Sequence, residues 1–582
     1  MLKDCLEIFE KELKRVGERT GNPDQLVLDN YIPSDGLYLI VDRDGKIQSQ
    51  AEIKMNKKTR KLENEPLNYA RICFLDYYSQ LVSMDKPQDP KKVIHSNNYL
   101  SFWVKQESFQ NGKLNDEAIE RYYHVLENPR EKYIKPKDRE MYDYIAKKVG
   151  EVDQEKLLSN KKWILEHIFS LEELGVKLSG KGYLKIFFED DDNIYIRENN
   201  RYLVTKIFNK NDYNIKIDGE IFGLPNDNMG MNSKKPFLEH KSRKLIVPYL
   251  ISSNEALLQK KFFDYLMSKA AAGKTNVFFD AESGKIWPCG KDDMIKQNFT
   301  GFFLQIKKGK ELEIHHQDSV VDYRFRLKKK FSYQNILQTP DPDEIYKDYR
   351  NVGELQGMLN EVLFSNWLIS NYFTPADELA VEGEIARNLM FARESIFAWL
   401  YKGKEDQIAA VLDQVCKNLM LHWIKNNSVS KAQKQWNLKI SLKEYFGGEK
   451  KMAVLYQEII EKLRNKIRQK GNSAIESDEE YYFAAGQLLR YFISLNKAKD
   501  KMHSLANPFF NLKRDERLKE KLLEFFMKYN YRIQENGSRF NNLYYLVFNY
   551  RPEGKMRQDV MVAGYIADNL IYESNKEESV NE

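Results

Sequence analysis

The sequence predicts an α+β fold in which a mixed α/β region is followed by an all-helical region that ends in a small helix bundle. Short apolar segments bounded by turn residues, which are typical of strands, recur over residues 1–345. After about Tyr346 nearly every apolar pattern has the three-and-four spacing of helices. At 582 residues the chain is longer than one hydrophobic core usually organises, so several domains are expected.

In the mixed region, apolar periodicity and flanking turn residues place each element. Helices are predicted at the amphipathic N-terminus, at 69–82 and at 255–272, and a helical pattern is predicted from about 115 to 175, as in 145–152 and 163–174. Strands are predicted at 37–41, 50–53, the second half of 91–104, 183–188, 193–197, 276–279, 285–287, 302–306 and 311–315. The acidic segment Glu189–Asp192 is predicted to be the turn of a hairpin.

The helical part divides at Gly447-Gly448, where two glycines end one helix and a new helix is predicted to begin near Met452. Beyond this point, short Gly, Pro and Asn segments separate five helical stretches, as in a small bundle. The predicted domains are therefore a mixed region at 1–345, a helical connection at 346–451 and a bundle at 452–582.

The composition narrows the classes of function that the chain can have. Lys plus Arg number 92 against 86 Asp plus Glu, so the net charge of +6 is small and local clusters of cations matter more than the total. The four cysteines are isolated, which predicts no zinc site and is typical of a reducing cytoplasm. No apolar run is long enough to span a membrane. No metal or cofactor is predicted.

Catalytic motifs are weak. Gly273-Lys274-Thr275 looks like the end of a phosphate-binding loop, but position 268 is Ser where that motif needs Gly, and a helix precedes it. The strand pattern around His315 and His316 is interpreted as structural. The 189–192 turn is the remaining enzymatic alternative, because carboxylates between strands hold two metals in palm-type nucleotidyl transferases or cyclases. A solvated acidic turn is the simpler interpretation.

Three polar, basic loops are candidates for nucleic-acid binding, with solvated loops as the alternative. Asn pairs with adenine edges, and Lys and Arg hold phosphates or guanine. The longest loop, 225–244, contributes Asn226, Asn228, Asn232, Lys234, Lys235, His240, Lys241, Arg243 and Lys244. The other two contribute Lys57, Lys58, Arg60, Lys91, Lys92, Asn97 and Asn98.

The predicted bundle also carries cations. Those of residues 462–470 recur every second residue, so they cannot all lie on one face of a helix, and part of their charge serves solubility. The rest are candidates for contact with a nucleic-acid backbone without reading sequence. These candidates are Lys462, Lys466, Lys497 and Lys501.

Several segments together resemble the large subunit of the type I-B CRISPR surveillance complex, Cascade. Those in the first half are Asp76-Tyr-Tyr-Ser, Asp85-Lys-Pro, Lys92-Val-Ile-His-Ser-Asn-Asn-Tyr99, Asn226-Asp-Asn-Met-Gly and Lys234-Lys-Pro-Phe-Leu-Glu-His-Lys241. Those in the second half are Tyr482-Phe-Ala-Ala-Gly-Gln-Leu, Lys501-Met-His-Ser-Leu, Arg539-Phe-Asn-Asn and Gly564-Tyr-Ile-Ala-Asp-Asn-Leu-Ile-Tyr572. Residues 105–220 and 320–440 are too generic to add support to this resemblance.

The resemblance implies a protein that is not an enzyme. It implies recognition of the protospacer-adjacent motif (PAM) in target double-stranded DNA, help in opening that DNA into an R-loop, and recruitment of a separate helicase-nuclease. The implied partners are the guide RNA (crRNA), the backbone subunits and the subunit that binds the 5′ handle of the guide. On this resemblance, Asn226, Asn228 and Asn232 are predicted groove contacts, and Lys234, Lys235, Lys241 and Arg243 are predicted phosphate contacts. The alternatives are the nucleotidyl transferase above and a purely structural helical scaffold.

The family also resembles a fusion to a small helical subunit, which type I-B loci can make separately by starting translation inside the gene. Gly447-Gly-Glu-Lys-Lys451 must be encoded by purine-rich codons, which can form a ribosome-binding sequence just upstream of Met452. We therefore predict a second, short protein that begins at Met452 and lines the guide–target duplex. The alternative is a bundle that exists only as part of the full chain.

Overall fold

A computed structural model describes residues 1–573 of the chain, apart from 57–61, 82–86, 179–181, 209–210, 225–249, 291–292, 310–311, 340–343, 448–451, 470–472, 497–501 and 534–536. It contains 53% helix and 15% strand, with the strands concentrated in the first part of the chain. The predicted α+β class is confirmed. No helix in the described ranges is both long and apolar enough to cross a membrane.

The elements run in the following order. The α-helices are α1 Leu2–Thr20, α2 Gln25–Leu28, α3 Tyr69–Tyr77, α4 Glu107–Gln110, α5 Asp116–Glu127, α6 Pro129–Lys132, α7 Pro136–Val149, α8 Gln154–His167, α9 Asp192–Leu203, α10 Ser253–Ala271, α11 Val352–Val362, α12 Gly383–Lys402, α13 Ile408–Lys425, α14 Val429–Gly447, α15 Met452–Arg468, α16 Asp478–Ser494, α17 Asn507–Phe510, α18 Asp515–Tyr529, α19 Ser538–Asn549 and α20 Gln558–Ile566. The strands are β1 Gly36–Val41, β2 Ile47–Ile53, β3 Ser101–Lys105, β4 Tyr183–Phe188, β5 Ile215–Ile217, β6 Glu220–Gly223, β7 Ile251–Ser252, β8 Asn276–Asp280, β9 Ile286–Cys289, β10 Phe299–Lys308, β11 Leu312–Tyr323, β12 Arg326–Ser332 and β13 Asp348–Asn351.

The chain forms two compact units. The first unit comprises Met1–Gly290 and Phe302–Ser319, and the second comprises Lys291–Gly301 and Val320–Glu582. Both predicted helical domains, 346–451 and 452–582, fall within the second unit. Residues of α13, α14 and the helices from α15 to α20 share one hydrophobic core there.

The main sheet of the first unit has the strand order β2-β1-β4-β3. The two central strands, β1 and β4, run parallel, with Leu39 opposite Ile186, and the outer strands are antiparallel to their neighbours. All six residues of β1 are buried, as expected for a strand covered on both faces. Around it, Phe9 of α1 packs against Phe262 of α10, with ring centroids 5.3 Å apart.

Buried groups of one Tyr, one Asp and one Lys stabilise this unit. In the first group, Asp76 accepts hydrogen bonds from Lys185 Nζ at 2.5 Å and from Tyr31 Oη at 2.6 Å. Two further groups contain the same three residue types. In each group the carboxylate is paired with a lysine ammonium, because a buried charge without a partner is costly. The three groups are Tyr31–Asp76–Lys185, Tyr77–Asp264–Lys260 and Tyr78–Asp24–Lys261.

In the second unit, α16 and α20 approach each other closely through two glycines. A Cβ atom at Gly486 would lie 2.6 Å from the backbone nitrogen of Tyr565, and one at Gly564 would lie 2.8 Å from the carbonyl carbon of Phe483. Gln487 of α16 stabilises this contact, because its Nε2 donates a hydrogen bond to Gly564 O at 2.5 Å. Only glycine permits this separation of the two backbones.

The structure confirms most predicted strands, the helix at 255–272 and the helix start at Met452. The strand predicted at 193–197 is wrong, because these residues belong to α9. Burial in α9 follows helical spacing, with Tyr195, Glu198 and Tyr202 inside, whereas the prediction rested on short-range apolar alternation. The acidic segment therefore joins a strand to a helix. The helix predicted at 69–82 ends at Tyr77, and β13 is a strand in the part predicted to be helical.

The helical pattern predicted from about 115 to 175 is confirmed, because α5, α6, α7 and α8 lie in this range. The predicted segments 145–152 and 163–174 extend past the ends of α7 and α8. Gly150, with a φ of 81°, follows α7 directly and ends it. Element boundaries are the least certain part of a prediction from sequence.

Candidate nucleic-acid interface

Many predicted contacts lie outside the described residues. These are Lys57, Lys58, Arg60, Asn226, Asn228, Asn232, Lys234, Lys235, His240, Lys241, Arg243, Lys244, Lys497 and Lys501. Their assignment stays a prediction from sequence.

Asn97 and Asn98 do not contact solvent, which corrects their prediction as DNA-binding residues. Asn97 is 2% exposed, and its Nδ2 donates to Asn199 Oδ1 at 3.0 Å. Asn98 is fully buried, its Nδ2 donates to Tyr78 O at 3.1 Å, and its Oδ1 accepts the N–H of Leu100. These amides satisfy buried backbone groups and hold the loop before β3, so we withdraw them as contacts to DNA.

The same loop presents Lys91 and Lys92 to solvent. Buried Asp89 fixes their position, because its carboxylate accepts the backbone N–H groups of Lys91 and Val93 and the side chain of Arg121. Burial raises the pKa of Asp89, but the Arg121 and backbone hydrogen bonds outweigh it and lower that pKa. Two cations on an anchored loop remain candidates for phosphate contact.

The cations of α15 are occupied by ion pairs. Lys466 Nζ lies 2.8 Å from Glu480 and 3.0 Å from Glu476, and its side chain is only 12% exposed. Lys462 is exposed but also pairs with Glu476, at 3.1 Å. Arg464 and Arg468 share Glu573. Lys466 is therefore a structural residue rather than a backbone contact, and Lys462 can bind phosphate only by exchanging its carboxylate partner.

The carboxylates of the 189–192 segment also form ion pairs with Arg and Lys side chains from other parts of the chain. Arg71 contacts Glu189 and Asp192, and Lys156 Nζ lies 2.6 Å from Asp190. Arg43 reaches Asp191 at 3.1 Å. Each carboxylate thus faces an Arg or Lys, and the described residues contain no group of three or more His, Cys, Asp or Glu arranged to hold a metal ion. Since the hairpin predicted here does not form, the nucleotidyl-transferase alternative loses the geometry on which it rested.

Among the described residues, a basic surface that the sequence did not single out lies on β12 and β13 of the second unit. The two strands are antiparallel, with Phe331 opposite Tyr349, and both of these residues are buried. Phe331 packs on Tyr445 of α14, with ring centroids 5.6 Å apart. The pairing register is irregular between Arg326 and Phe331, so exposure rather than strict alternation identifies the outward residues. We call the outward residues Arg326, Lys328, Lys330 and Arg350 the basic ribbon.

Three cations of the basic ribbon are available. Lys330 pairs with Asp348 at 2.7 Å, and hydrogen bonds from Lys330 and Ser332 lower the pKa of that carboxyl. The side chains of Arg326, Lys328 and Arg350 are exposed and make no hydrogen bond or ion pair within the described part of the chain, although the charge of Arg350 also lowers the pKa of Asp348. Arg326 and Lys328 are two residues apart on β12.

No protein-family model, curated protein or solved structure matches this chain.

The described segments that carry the family resemblance mostly build the core. Asp76, Tyr77 and Tyr78 belong to the three Tyr–Asp–Lys groups, and residues 95–99 are buried before β3. Gly486 and Gly564 form the α16–α20 contact. These residue types are therefore explained by packing, and the contacts to a ligand have to come from exposed residues such as the basic ribbon.

A sequence signal for the basic ribbon was present. Arg326-Leu-Lys-Lys-Lys-Phe331 alternates Leu and Phe with cations closely enough to predict an amphipathic strand with one basic face. Lys329 breaks the strict alternation. Lys329 is exposed but contacts α14, because its Nζ donates to Tyr445 O and lies 4.4 Å from the Tyr445 ring centroid.

Proposed function

We propose that this chain is the non-catalytic large subunit of a type I-B CRISPR-Cas interference complex. In this role it recognises the PAM in target double-stranded DNA, helps to form the R-loop and recruits a separate helicase-nuclease. Its partners are the guide RNA, the target DNA, and the backbone and 5′-handle-binding subunits. The set of resembling segments supports this role.

The basic ribbon is the structural observation that best supports binding to nucleic acid. Unpaired cations bind phosphates and release counterions whatever the base sequence. In RNA-guided recognition, base pairing with the guide reads the target, so the protein needs only a short duplex reader and cationic surfaces. The 225–244 loop would supply the reader, and the basic ribbon and Lys91–Lys92 would supply backbone contacts.

Co-purification tests the assignment as a whole. The tagged full-length chain, expressed with its genomic neighbours, is expected to carry guide RNA and repeated backbone subunits through size-exclusion chromatography. A purely structural scaffold would show no salt-sensitive binding to nucleic acid. A nucleotidyl transferase would show metal-dependent activity that is lost when Asp190–Asp192 are replaced. Either result would contradict the proposal.

Removing the basic ribbon is expected to weaken binding to DNA with and without the motif by the same factor. The test variant combines Arg326→Ala, Lys328→Ala and Arg350→Ala. Each lost phosphate contact lowers the slope of log K against log salt by about 0.7 for single strands and about 0.9 for duplex, so the slope should fall by about 2 to 3. The measurement is fluorescence anisotropy with labelled DNA at several salt concentrations.

A matched control removes the same charge elsewhere on the second unit through Arg387→Ala, Lys404→Ala and Arg517→Ala. Arg387 and Arg517 are exposed and paired with neighbouring glutamates, and Lys404 is exposed at the end of α12. An equal fall in slope for both triple variants would show that only net charge matters and that the basic ribbon is not a site.

The 225–244 loop is tested by sequence preference. Asn226→Ala with Asn228→Ala is expected to weaken binding to motif-bearing DNA by about 1–3 kcal/mol per lost base contact, with little change for DNA that lacks the motif. Lys234→Ala with Lys235→Ala should weaken both, because these residues are assigned to phosphates. Unchanged binding of motif-bearing DNA by the lysine variant would refute the assignment of this loop.

We further propose that a short chain beginning at Met452 accompanies the full-length protein and lines the guide–target duplex. In the full chain this part packs on α14, where Trp436 and Tyr456 have ring centroids 4.6 Å apart and Gln433 Nε2 donates to Ile566 O. Replacing the Met452 codon with a leucine codon that does not serve as a start codon should remove the short species while leaving the full-length chain, as detected with a C-terminal tag. Met390→Leu is the control, and persistence of the species at the same mass excludes this start site.

A further inference from the structure

The exposed tip of the loop before β3 has a backbone conformation that its sequence does not favour. Lys92 has a φ of 59°, in the left-handed region, where residues other than Gly, Asn and Asp are uncommon. The N–H of Lys92 donates to Asp89 O at 3.0 Å, which closes a four-residue turn. Asp89 and Pro90 are favoured at the first two positions of a type I turn, and Gly is favoured at the fourth, where this chain has Lys92.

The other positive-φ residues have a local explanation that Lys92 lacks. Six non-glycine residues in the described ranges have a positive φ, and three of them are Asn or Asp, which tolerate this conformation. Gln338 accepts a hydrogen bond from Arg464, and Ser365 directly precedes Asn366 in one turn. The Lys92 side chain is exposed and makes no hydrogen bond or ion pair with any described residue. Contacts within the folded chain therefore do not explain a lysine at this position.

Hydrogen bonds from the interior hold the strained turn in place. The carboxylate of Asp89 accepts the N–H of Val93 at 2.7 Å and a hydrogen bond from Arg121 Nε at 2.9 Å. On the other side of the turn, His95 Nε2 donates to Lys92 O at 2.9 Å. A strained backbone persists only where its surroundings over-determine it, and such strain is concentrated at functional sites.

The chain that enters this turn is anchored as well. Lys132 Nζ donates to Pro87 O at 3.1 Å and to Gln88 O at 2.8 Å. Gln88 is fully buried, and its Nε2 donates to Asn97 Oδ1 at 3.2 Å. Only residues 90–92 of this loop are exposed, and two of these three residues are lysines. The loop therefore presents two cations from a backbone that is fixed from below.

We propose that Lys92, with Lys91 beside it, is a preorganised contact to a phosphate of the DNA backbone, and that Asp89 is the residue that positions it. This inference rests on the proposed binding of target DNA and adds what fixes the contact. A cation whose backbone is already held in place loses less conformational freedom when its ligand binds. Phosphate is the expected ligand, because neither ammonium has a carboxylate partner among the described residues. Asp89 is 0% exposed, so it acts only through the turn.

Lys92→Gly separates the function of the side chain from the strain of the backbone. Gly adopts the left-handed conformation without strain, so the full-length variant should have a higher midpoint of urea denaturation than the natural chain. Its binding to labelled duplex DNA, measured by fluorescence anisotropy, should be weaker by about eightfold at about 0.1 M salt, because each lost phosphate contact lowers the slope of log K against log salt by about 0.9.

Lys113→Gly is the matched control. It removes the same side chain from an exposed loop residue of the first unit that does not have a positive φ. This variant should be no more stable than the natural chain, because Gly relieves no strain there and adds freedom to the unfolded chain. It should bind DNA as the natural chain does.

Asp89→Asn tests the positioning role. This change raises the net charge by one, so charge alone predicts tighter binding to DNA, whereas a displaced turn predicts binding that is several-fold weaker. The loss should also require the lysines, so adding Asp89→Asn to Lys91→Ala with Lys92→Gly should cause no further loss. An equal loss in both backgrounds would show that Asp89 only stabilises the fold. If Asp89→Asn does not fold, Arg121→Gln removes part of the same anchor and replaces it in both backgrounds.

The results for Lys92→Gly separate this inference from the proposed function. If the natural chain binds DNA and Lys92→Gly binds it equally well, the inference is refuted and the proposed function stands. If Lys92→Gly is no more stable than the natural chain, the backbone carries no strain and the inference is refuted as well. If the natural chain itself binds no DNA, both fail.

Discussion

Replacing Gly486 with Ala should lower the free energy of unfolding of the second unit by about 3 kcal/mol, the upper end for overpacking a core. A Cβ at this position would overlap the carbonyl oxygen of Met561 and lie 2.6 Å from the nitrogen of Tyr565. Both atoms belong to the backbone of α20, so no side-chain rotation relieves the overlap. Gly564→Ala should also lower the free energy of unfolding of the second unit, because its Cβ would overlap the backbone of Phe483.

Gly357→Ala provides the matched control. Gly357 lies inside α11 of the same unit, and a Cβ there would meet no atom within 4 Å. Ala is favoured over Gly by about 1 kcal/mol in a helix, so this variant should be neutral or more stable. Urea denaturation followed by circular dichroism measures all three variants. If Gly486→Ala were as stable as Gly357→Ala, the close contact of α16 with α20 would be wrong.

This contact also shows what the sequence could and could not predict. Apolar spacing predicted helical stretches in the bundle, and Met452 as a helix start was confirmed. Nothing local to Gly486 or Gly564 says that the two glycines face each other, because the contact joins residues far apart in the chain. Periodicity reports which face of an element is apolar, not which partner covers it.

The candidate site was harder to predict for a related reason. Asn97 and Asn98 have the composition of an exposed loop, yet both amides donate to backbone carbonyl oxygens in the interior, those of Asn199 and Tyr78. Lys466 has the composition of a basic helix face, yet Glu480 from α16 pairs with it. Whether a polar side chain is available to bind a ligand therefore depends on hydrogen-bond and ion-pair partners that are distant in sequence. The pattern over 326–331 predicts a basic strand, but only the pairing of β12 with β13 brings Arg350 beside it.

Lys185→Met should destabilise the first unit by about 3–5 kcal/mol, the cost of breaking a buried ion pair by removing one partner. The Lys185 and Asp76 side chains are 3% and 0% exposed, and the variant leaves the carboxylate with only Tyr31 as a side-chain partner. Combining Lys185→Met with Asp76→Leu should recover much of the loss, because the unpaired charge is then gone. Lys137→Met is the control, since its pair with Glu140 is exposed on both sides and contributes little.

The pH dependence of stability separates the lost charge from lost packing. Burial lowers the pKa of Lys185 more than Asp76 raises it. Between that lowered pKa and the value of about 10.4 in an unfolded chain, the unfolded state binds more protons, so this lysine makes stability rise with pH. Subtracting the unfolding free energy of Lys185→Met from that of the natural chain should give a difference that grows as pH rises through this window. A difference that falls as pH rises would mean that the ion pair with Asp76 outweighs burial, and a flat difference would mean that the pKa of Lys185 is the same in the folded and unfolded chain; either result contradicts the prediction.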